Sequence, residues 1–174
     1  MPRHASAPFA CAAFILVSLA ATAVASPVPR PTLNGAQIRL ALERLNVVGS
    51  ALYVGAHPDD ENNGLLVMLQ RGLGYRTALF TCTRGSGGQN EIGPELFESL
   101  AVLRTEELAG VHAFDGSEQY FGREIDFGFS FSIDETFDKW GRNRVTSDYV
   151  RIMRMVRPDV IVTIDPNFHA AART

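Results

Sequence analysis

Apolar residues along this chain follow two rhythms: short runs in which nearly every position is apolar, and longer stretches in which they recur every three or four residues. The runs have strand length: Leu52 to Ala56, Tyr75 to Thr81 around Ala78-Leu79-Phe80, and Val160-Ile161-Val162-Thr163-Ile164. A strand or an irregular return fits the residues between Asp115 and Phe121. Helical spacing predicts a helix over 36–45, with Ile38, Leu40, Leu42 and Leu45 on one side and Asn34 or Gly35 at its start. It predicts another over 61–71, carrying Leu65, Leu66, Val67 and Leu69 and ended by Gly72 and Gly74. A third covers 95–112, opened by Pro94 and carrying Leu96, Leu100, Leu103, Leu108 and Val111, with Arg104 and Glu107 spaced to pair across one turn. The last covers 142–156, with Val145, Tyr149, Ile152, Met153 and Val156, and stops at Arg157-Pro158. Strands that are apolar throughout need cover on both faces, so the alternation predicts an α/β fold with a mostly parallel sheet and right-handed crossovers.

The first 25 residues stand apart. Arg3 and His4 precede an apolar stretch from Phe9 to Ala20, and Ala23-Val24-Ala25 supplies a small-residue cleavage site before Ser26. This pattern predicts a signal peptide over 1–25, too short for a bilayer span, so that the mature chain is secreted or periplasmic with no stable membrane insertion. A proline-rich lead-in over 26–33 follows, and a single domain over 34–174.

Composition removes several classes of function. With 16 basic and 19 acidic residues the net charge is −3, and no basic stripe exists to grip a phosphate backbone, so nucleic acid is not an expected partner. The chain has 2 cysteines, one of which, Cys11, falls in the signal segment, so Cys82 has no internal disulfide partner in the mature chain. Nothing in the pattern sets an oligomeric state.

Chemistry concentrates where the first strand ends. Val54-Gly55-Ala56-His57-Pro58-Asp59-Asp60-Glu61 turns from apolar to an imidazole and three carboxylates at a strand's C-terminal edge, where open α/β sheets place their sites. His57 and Asp60 are a nitrogen and a carboxylate donor of the kind zinc accepts, and Asp59 is left as a base. The competing reading is a helix cap and an ordinary turn. Thr83-Arg84-Gly85-Ser86-Gly87-Gly88-Gln89-Asn90 follows the second strand. Its glycines let backbone approach a ligand while Arg84, Gln89 and Asn90 offer hydrogen bonds, against the alternative of a flexible surface loop. No Gly-Lys-Ser/Thr phosphate loop is present, and the glycines do not follow the first strand as a dinucleotide fingerprint requires. Phe127-Gly128-Phe129-Ser130-Phe131 is either a sugar-facing wall or a small core beneath a loop. The last strand leads to Asp165-Pro166-Asn167-Phe168-His169, which brings a distant histidine to the same sheet edge.

In order, Ala56-His57-Pro58-Asp59-Asp60-Glu61, Thr83 to Asn90, Arg104-Thr105-Glu106-Glu107-Leu108, Asp126-Phe127-Gly128-Phe129 and Arg157-Pro158-Asp159-Val160-Ile161 closely resemble the LmbE-like, or PIG-L, deacetylases, especially larger secreted bacterial ones. The resemblance implies a Rossmann-like three-layer sandwich and hydrolysis of N-acetyl groups on amino sugars or glycoconjugates with Zn2+ or another divalent metal. It implies His57, Asp60 and His169 as metal ligands, Asp59 as general base and Arg84 as a substrate contact, with Gln89 and Asn90 of the same loop, by their hydrogen-bonding capacity, as further candidate contacts. Relatives often carry a glycine-rich stretch and adjacent histidines where this chain has only His169, so the chain is expected to be cut short of the family's C-terminal part. A non-catalytic carbohydrate- or metal-binding remnant is the alternative. Export favours extracellular or envelope glycans as substrate.

Overall fold

The computed structural model describes residues 32–88 and 90–163. The expected signal peptide, most of the lead-in, Gln89 and His169 lie outside the described residues. The elements run α1 (Gly35–Arg44), β1 (Ser50–Gly55), α2 (Asn63–Val67), β2 (Arg76–Thr81), α3 (Glu98–Asp115), β3 (Glu118–Phe121), α4 (Ile133–Trp140), α5 (Arg142–Val156) and β4 (Val160–Thr163). One sheet has the order β3-β2-β1-β4, with every pair parallel. Val54 pairs with Phe80 and Thr163, so β1 lies between the other long strand and the last one.

The period-two alternation of each strand sorts the core into two layers. Leu52, Val54, Ala78 and Phe80 face Trp140, Val145, Ile152 and Val156 of α4 and α5. Tyr53 and Leu79 face Leu66 of α2 and Leu108 of α3. Both faces of the sheet are therefore covered, which is why β1 and β2 contain no polar side chain in their centres. The Cys82 thiol is buried at the end of β2 beside the Tyr149 hydroxyl, and burial pushes it up to about 11.

Three differences from the sequence expectations have physical reasons. The helix after β1 starts only at Asn63, because Asn62 caps it through the Leu65 amide, and it continues as a π-helical turn over Met68–Gly72. That turn lets Gln70 reach Thr77 and the Gly116 carbonyl, tying α2 to β2 and to the end of α3. The helix α3 begins three residues later than the periodicity suggests, after Phe97 at φ +52°. The apolar side of α1 is exposed: Ile38, Leu42 and Leu45 are uncovered among the described residues, and local bonds hold the helix through the Asn34/Gln37 capping box and the Arg39–Glu43 pair. Among the described residues, no helix is long and apolar enough to cross a membrane.

Candidate functional site

The loop after β1 is wound tightly enough to fold its own carboxylate back on the strand end. Asp60 Oδ2 accepts hydrogen bonds from the amides of Ala56 and His57, both at 2.7 Å. Gly55 makes room for this, since a Cβ there would stand 2.8 Å from the Asp60 Cβ. Burial pushes the Asp60 carboxyl up, but His57 and the two amides outweigh it and hold it below its ordinary value. His57 Nδ1 stands 3.7 Å from the same Asp60 oxygen, and its Nε2 stands 3.4 Å from Asp126 Oδ1. The imidazole is therefore bracketed by carboxylates. Asp60 first, with Asp126 and Asp59 adding against the effect of burial, raises its pKa.

Asp59 occupies the left-handed region at φ +96°, uncommon for a residue with a side chain. Its amide donates to Glu61 Oε2 at 2.9 Å, and its carboxylate lies 3.3 Å from Arg104 Nη1. Burial raises the Asp59 pKa over the opposing pull of Arg104. Arg104 also donates to the Pro58 carbonyl at 3.2 Å, so one guanidinium from α3 holds the turn that presents Asp59. α3 runs past the β1 loop and so brings Arg104 to these partners distant in sequence.

The glycine loop has a different task from the one its composition suggests. A Cβ on Gly85 would meet Arg104 Cδ at 2.7 Å, and one on Gly88 would meet Arg104 Cζ at 3.1 Å. On Gly87 it would meet the Asp126 carbonyl oxygen at 2.6 Å. The close approaches that need glycine are thus to Arg104 and to the segment after β3. That segment is fastened from behind by Arg123–Asp148 and Arg144–Glu124 bonds of 2.8 Å and by the Trp140 indole on the Ile125 carbonyl at 2.9 Å. It carries Asp126, whose side chain is only 2% exposed. Asp126 Oδ1 accepts from the Gly128 amide, while Oδ2 is buried with no hydrogen-bond partner among the described residues.

These groups line a cleft of about 1120 Å³ that includes His57, Asp59, Asn90, Arg104, Asp126 and Phe129. Asn90 folds its loop, accepting from the Ile92 and Gly93 amides and donating to Glu95. Arg84 is not among the lining residues: it stacks over Phe121 at 4.0 Å and donates to Thr105 Oγ1. Arg104 and Asp126 are the site groups that spacing did not single out. Both lie in stretches that carried the family resemblance, and that was the available signal. The aromatic stretch divides between its two readings: Phe127 packs on Trp140 against the core, while Phe129 and Phe131 are exposed and packed edge to face.

The donor chemistry suits a divalent ion as far as the described residues reach. Both amide bonds go to Asp60 Oδ2 and neither to Oδ1, and the His57 imidazole stands 3.7 Å from Oδ2. Among the described residues, no third His, Cys, Asp or Glu completes a metal-binding group with these two; the expected third ligand, His169, lies outside them.

A parallel-stranded three-layer α/β sandwich with a histidine and carboxylates gathered where β1 ends defines a Rossmann-like protein whose site sits on the strand ends. Residues 52–171 match the family described as PIG-L, GlcNAc-PI de-N-acetylase, and the chain belongs to that family. It is 33% identical over 147 residues to a 1D-myo-inositol 2-acetamido-2-deoxy-alpha-D-glucopyranoside deacetylase of Streptomyces scabiei, covering 72% of this chain and 44% of that protein. A protein of the same description from Mycobacterium leprae is 29% identical, with 67% of this chain and 43% of that one covered. The chain thus spans less than half the length of these relatives. The fold is shared with a deacetylase of teicoplanin biosynthesis solved with teicoplanin, at TM-score 0.51 and 17% identity over 66% of this chain and 57% of that one.

Proposed function

We propose that this chain carries the site of a metal-dependent N-deacetylase that hydrolyses the acetamido group of an amino sugar or glycoconjugate. The observation that carries the reading is the β1 turn itself, where His57 and Asp60 converge and Asp59 is held beside them by Arg104 at the head of a cleft. Membership of the PIG-L family and the printed activities of the Streptomyces and Mycobacterium relatives support it.

His57 and Asp60, with His169 as third ligand, are the residues that would hold zinc or another divalent ion. When bound, such an ion supplies Lewis acidity to the acetyl carbonyl and to water. Asp59 takes the proton from water as its oxygen adds to the carbonyl carbon. Its raised pKa suits a group that must then hold this proton. Arg104 keeps Asp59 in place, and the proton passes to the amine nitrogen as the C–N bond breaks and acetate leaves. We also read residues 1–25 as an export signal, which a mature product beginning at Ser26 would check by mass.

Purified protein loaded with zinc should release acetate from an N-acetyl amino sugar and lose this activity in chelator. Asp59→Asn should lower turnover by about 100-fold or more, the usual contribution of a general base, while metal stoichiometry stays unchanged. Folded, metal-loaded protein that releases no acetate across a panel of N-acetylated glycans would sink the catalytic reading.

A further inference from the structure

The cleft of about 1120 Å³ is lined by more than the groups gathered around His57. Phe129 and Phe131 stand in edge-to-face contact with ring centroids 5.1 Å apart, yet are 78% and 88% exposed. Their positions are held locally. The Asp126 carboxylate that faces His57 at 3.4 Å also accepts from the Gly128 amide at 2.8 Å, and Gly128 turns at φ +82° to present Phe129 at the cleft wall. The Phe131 amide donates to Glu135 Oε2 at 2.9 Å, on the first turn of α4. Among the described residues, this aromatic pair is fixed in place and exposed, an apolar patch of the kind that marks a binding surface.

Phe129 shares the lining with Glu91, Ile92 and Glu95, and with Glu107 from α3. With Asp59 and Asp126, carboxylates outnumber Arg104 and the His57 imidazole among the described lining residues, and still do when Asp60 and a bound divalent ion are counted. One acid adds to this: Asp126 lines the cleft, and its Oδ2 is buried and accepts no hydrogen bond among the described residues. Such an oxygen calls for a hydroxyl or ammonium donor and repels phosphate or carboxylate.

We infer that Phe129 and the Glu91–Glu95 loop, which line the same cleft, form a subsite for the sugar next to the one deacetylated, so that the cleft takes an amino-sugar chain, neutral or bearing free ammonium groups, rather than an anionic conjugate. This rests on the deacetylase reading for the position of the reacting sugar. The apolar C–H face of a pyranose packs on the Phe129 ring, and the carboxylates accept hydroxyls or pair with ammonium groups that earlier deacetylation has uncovered.

Binding separates this inference from the catalytic one. Asp59→Asn protein loaded with zinc is titrated calorimetrically with N-acetylglucosamine, its β-1,4 dimer and tetramer, a partly deacetylated tetramer, and N-acetylglucosamine 1-phosphate. The dimer should bind about tenfold tighter than the monomer, and both Phe129→Ala and Phe129→Leu should remove most of that gain, as expected for loss of one aromatic contact. The partly deacetylated tetramer should bind at least as tightly as the acetylated one, with an advantage that shrinks in salt, and the phosphate should bind weakest. Phe129 is exposed, so unchanged melting curves will show that the variants fold. Equal dimer-to-monomer ratios in parent and variants, tightest binding by the phosphate, or no sugar binding at all would overturn the subsite. Absence of acetate release by the parent, with the binding pattern intact, would overturn only the catalytic reading.

Discussion

Replacing Asp60 by alanine tests the claim that this carboxylate is a structural staple before it is anything else. Its Oδ2 takes two backbone amides at 2.7 Å, short distances that mark charge-assisted bonds. Hydrogen bonds to charged groups contribute about 1.5–3 kcal/mol each. The Asp60 side chain is 23% exposed, so water partly replaces what is lost, and the two bonds together should be worth roughly 2–4 kcal/mol. Against a typical total stability of about 5–15 kcal/mol, that is a large fraction. Asp60→Asn keeps an oxygen that can accept from both amides and should lose only about 1 kcal/mol. Urea unfolding followed through Trp140, the single tryptophan of the chain, reads the difference. The indole is buried and bonded to the Ile125 carbonyl, so its emission reports the native loop. Chelator must be present, because a ligand that binds only the folded state would add its own stabilisation and mix the two roles. If Asp60→Ala unfolds within about 0.5 kcal/mol of the parent in chelator, the two amide bonds do not hold this turn. With zinc restored, the parent alone should gain stability, while both variants should not.

Two further outcomes follow from the loops around the site. Gly87→Ala places a methyl 2.6 Å from the Asp126 carbonyl oxygen, which is backbone and cannot rotate away. It should cost about 1–3 kcal/mol and shift the His57 imidazole resonances, and an unchanged midpoint with unchanged shifts would refute the close packing. Asp148 is buried; burial raises its carboxyl, yet the Arg123 bonds prevail and hold it below the ordinary value. A depressed folded pKa means that its stabilisation is full above the unfolded value of about 4 and is lost as pH falls through the folded value. The stability gap between parent and Asp148→Asn should therefore be flat from neutral pH down to about 5 and close in more acid solution, and a gap that widens on acidification would reverse the argument.

What the sequence reveals and what it hides divide along local and non-local physics. The β1 and β2 runs, the α5 stripe and the turn at His57 are legible because period and composition act over a few residues. The parallel sense of the sheet is legible too, since apolar strands covered on both faces leave a parallel sheet as the simple solution. The task of Arg104 is not legible in the same way. Its i,i+3 neighbour Glu107 is the only partner that spacing supplies, whereas Asp59 and Pro58 come from 45 residues or more away once α3 has packed. The glycine loop looks like a ligand cradle for the same reason: sequence shows that backbone must be approached, but only the fold shows that Arg104 and the Asp126 segment do the approaching. Phe127, Phe129 and Phe131 alternate evenly, and nothing in the alternation says that the first will join Trp140 while the others stay in water.

Several acidic groups crowd around His57, and the way each is held sorts them. Like charges this close raise one another's pKa unless something local opposes it. Asp60 has two amides and the imidazole, and these carry it down despite burial. Burial, with the Asp60 and Glu61 charges, outweighs the pull of Arg104 and His57 on Asp59, so it goes up. Neighbouring carboxylates pushed in opposite directions are fitted to opposite duties: the depressed one stays ionised, as a metal ligand must, and the raised one can accept and keep a proton, as a base must. This division agrees with the proposed roles and comes from hydrogen bonds and burial within the chain. It makes Gly55 and Arg104 as necessary to the assignment as the acids themselves, Gly55 because the Asp60 carboxylate folds back over it and Arg104 because it fixes the turn that sets Asp59 apart.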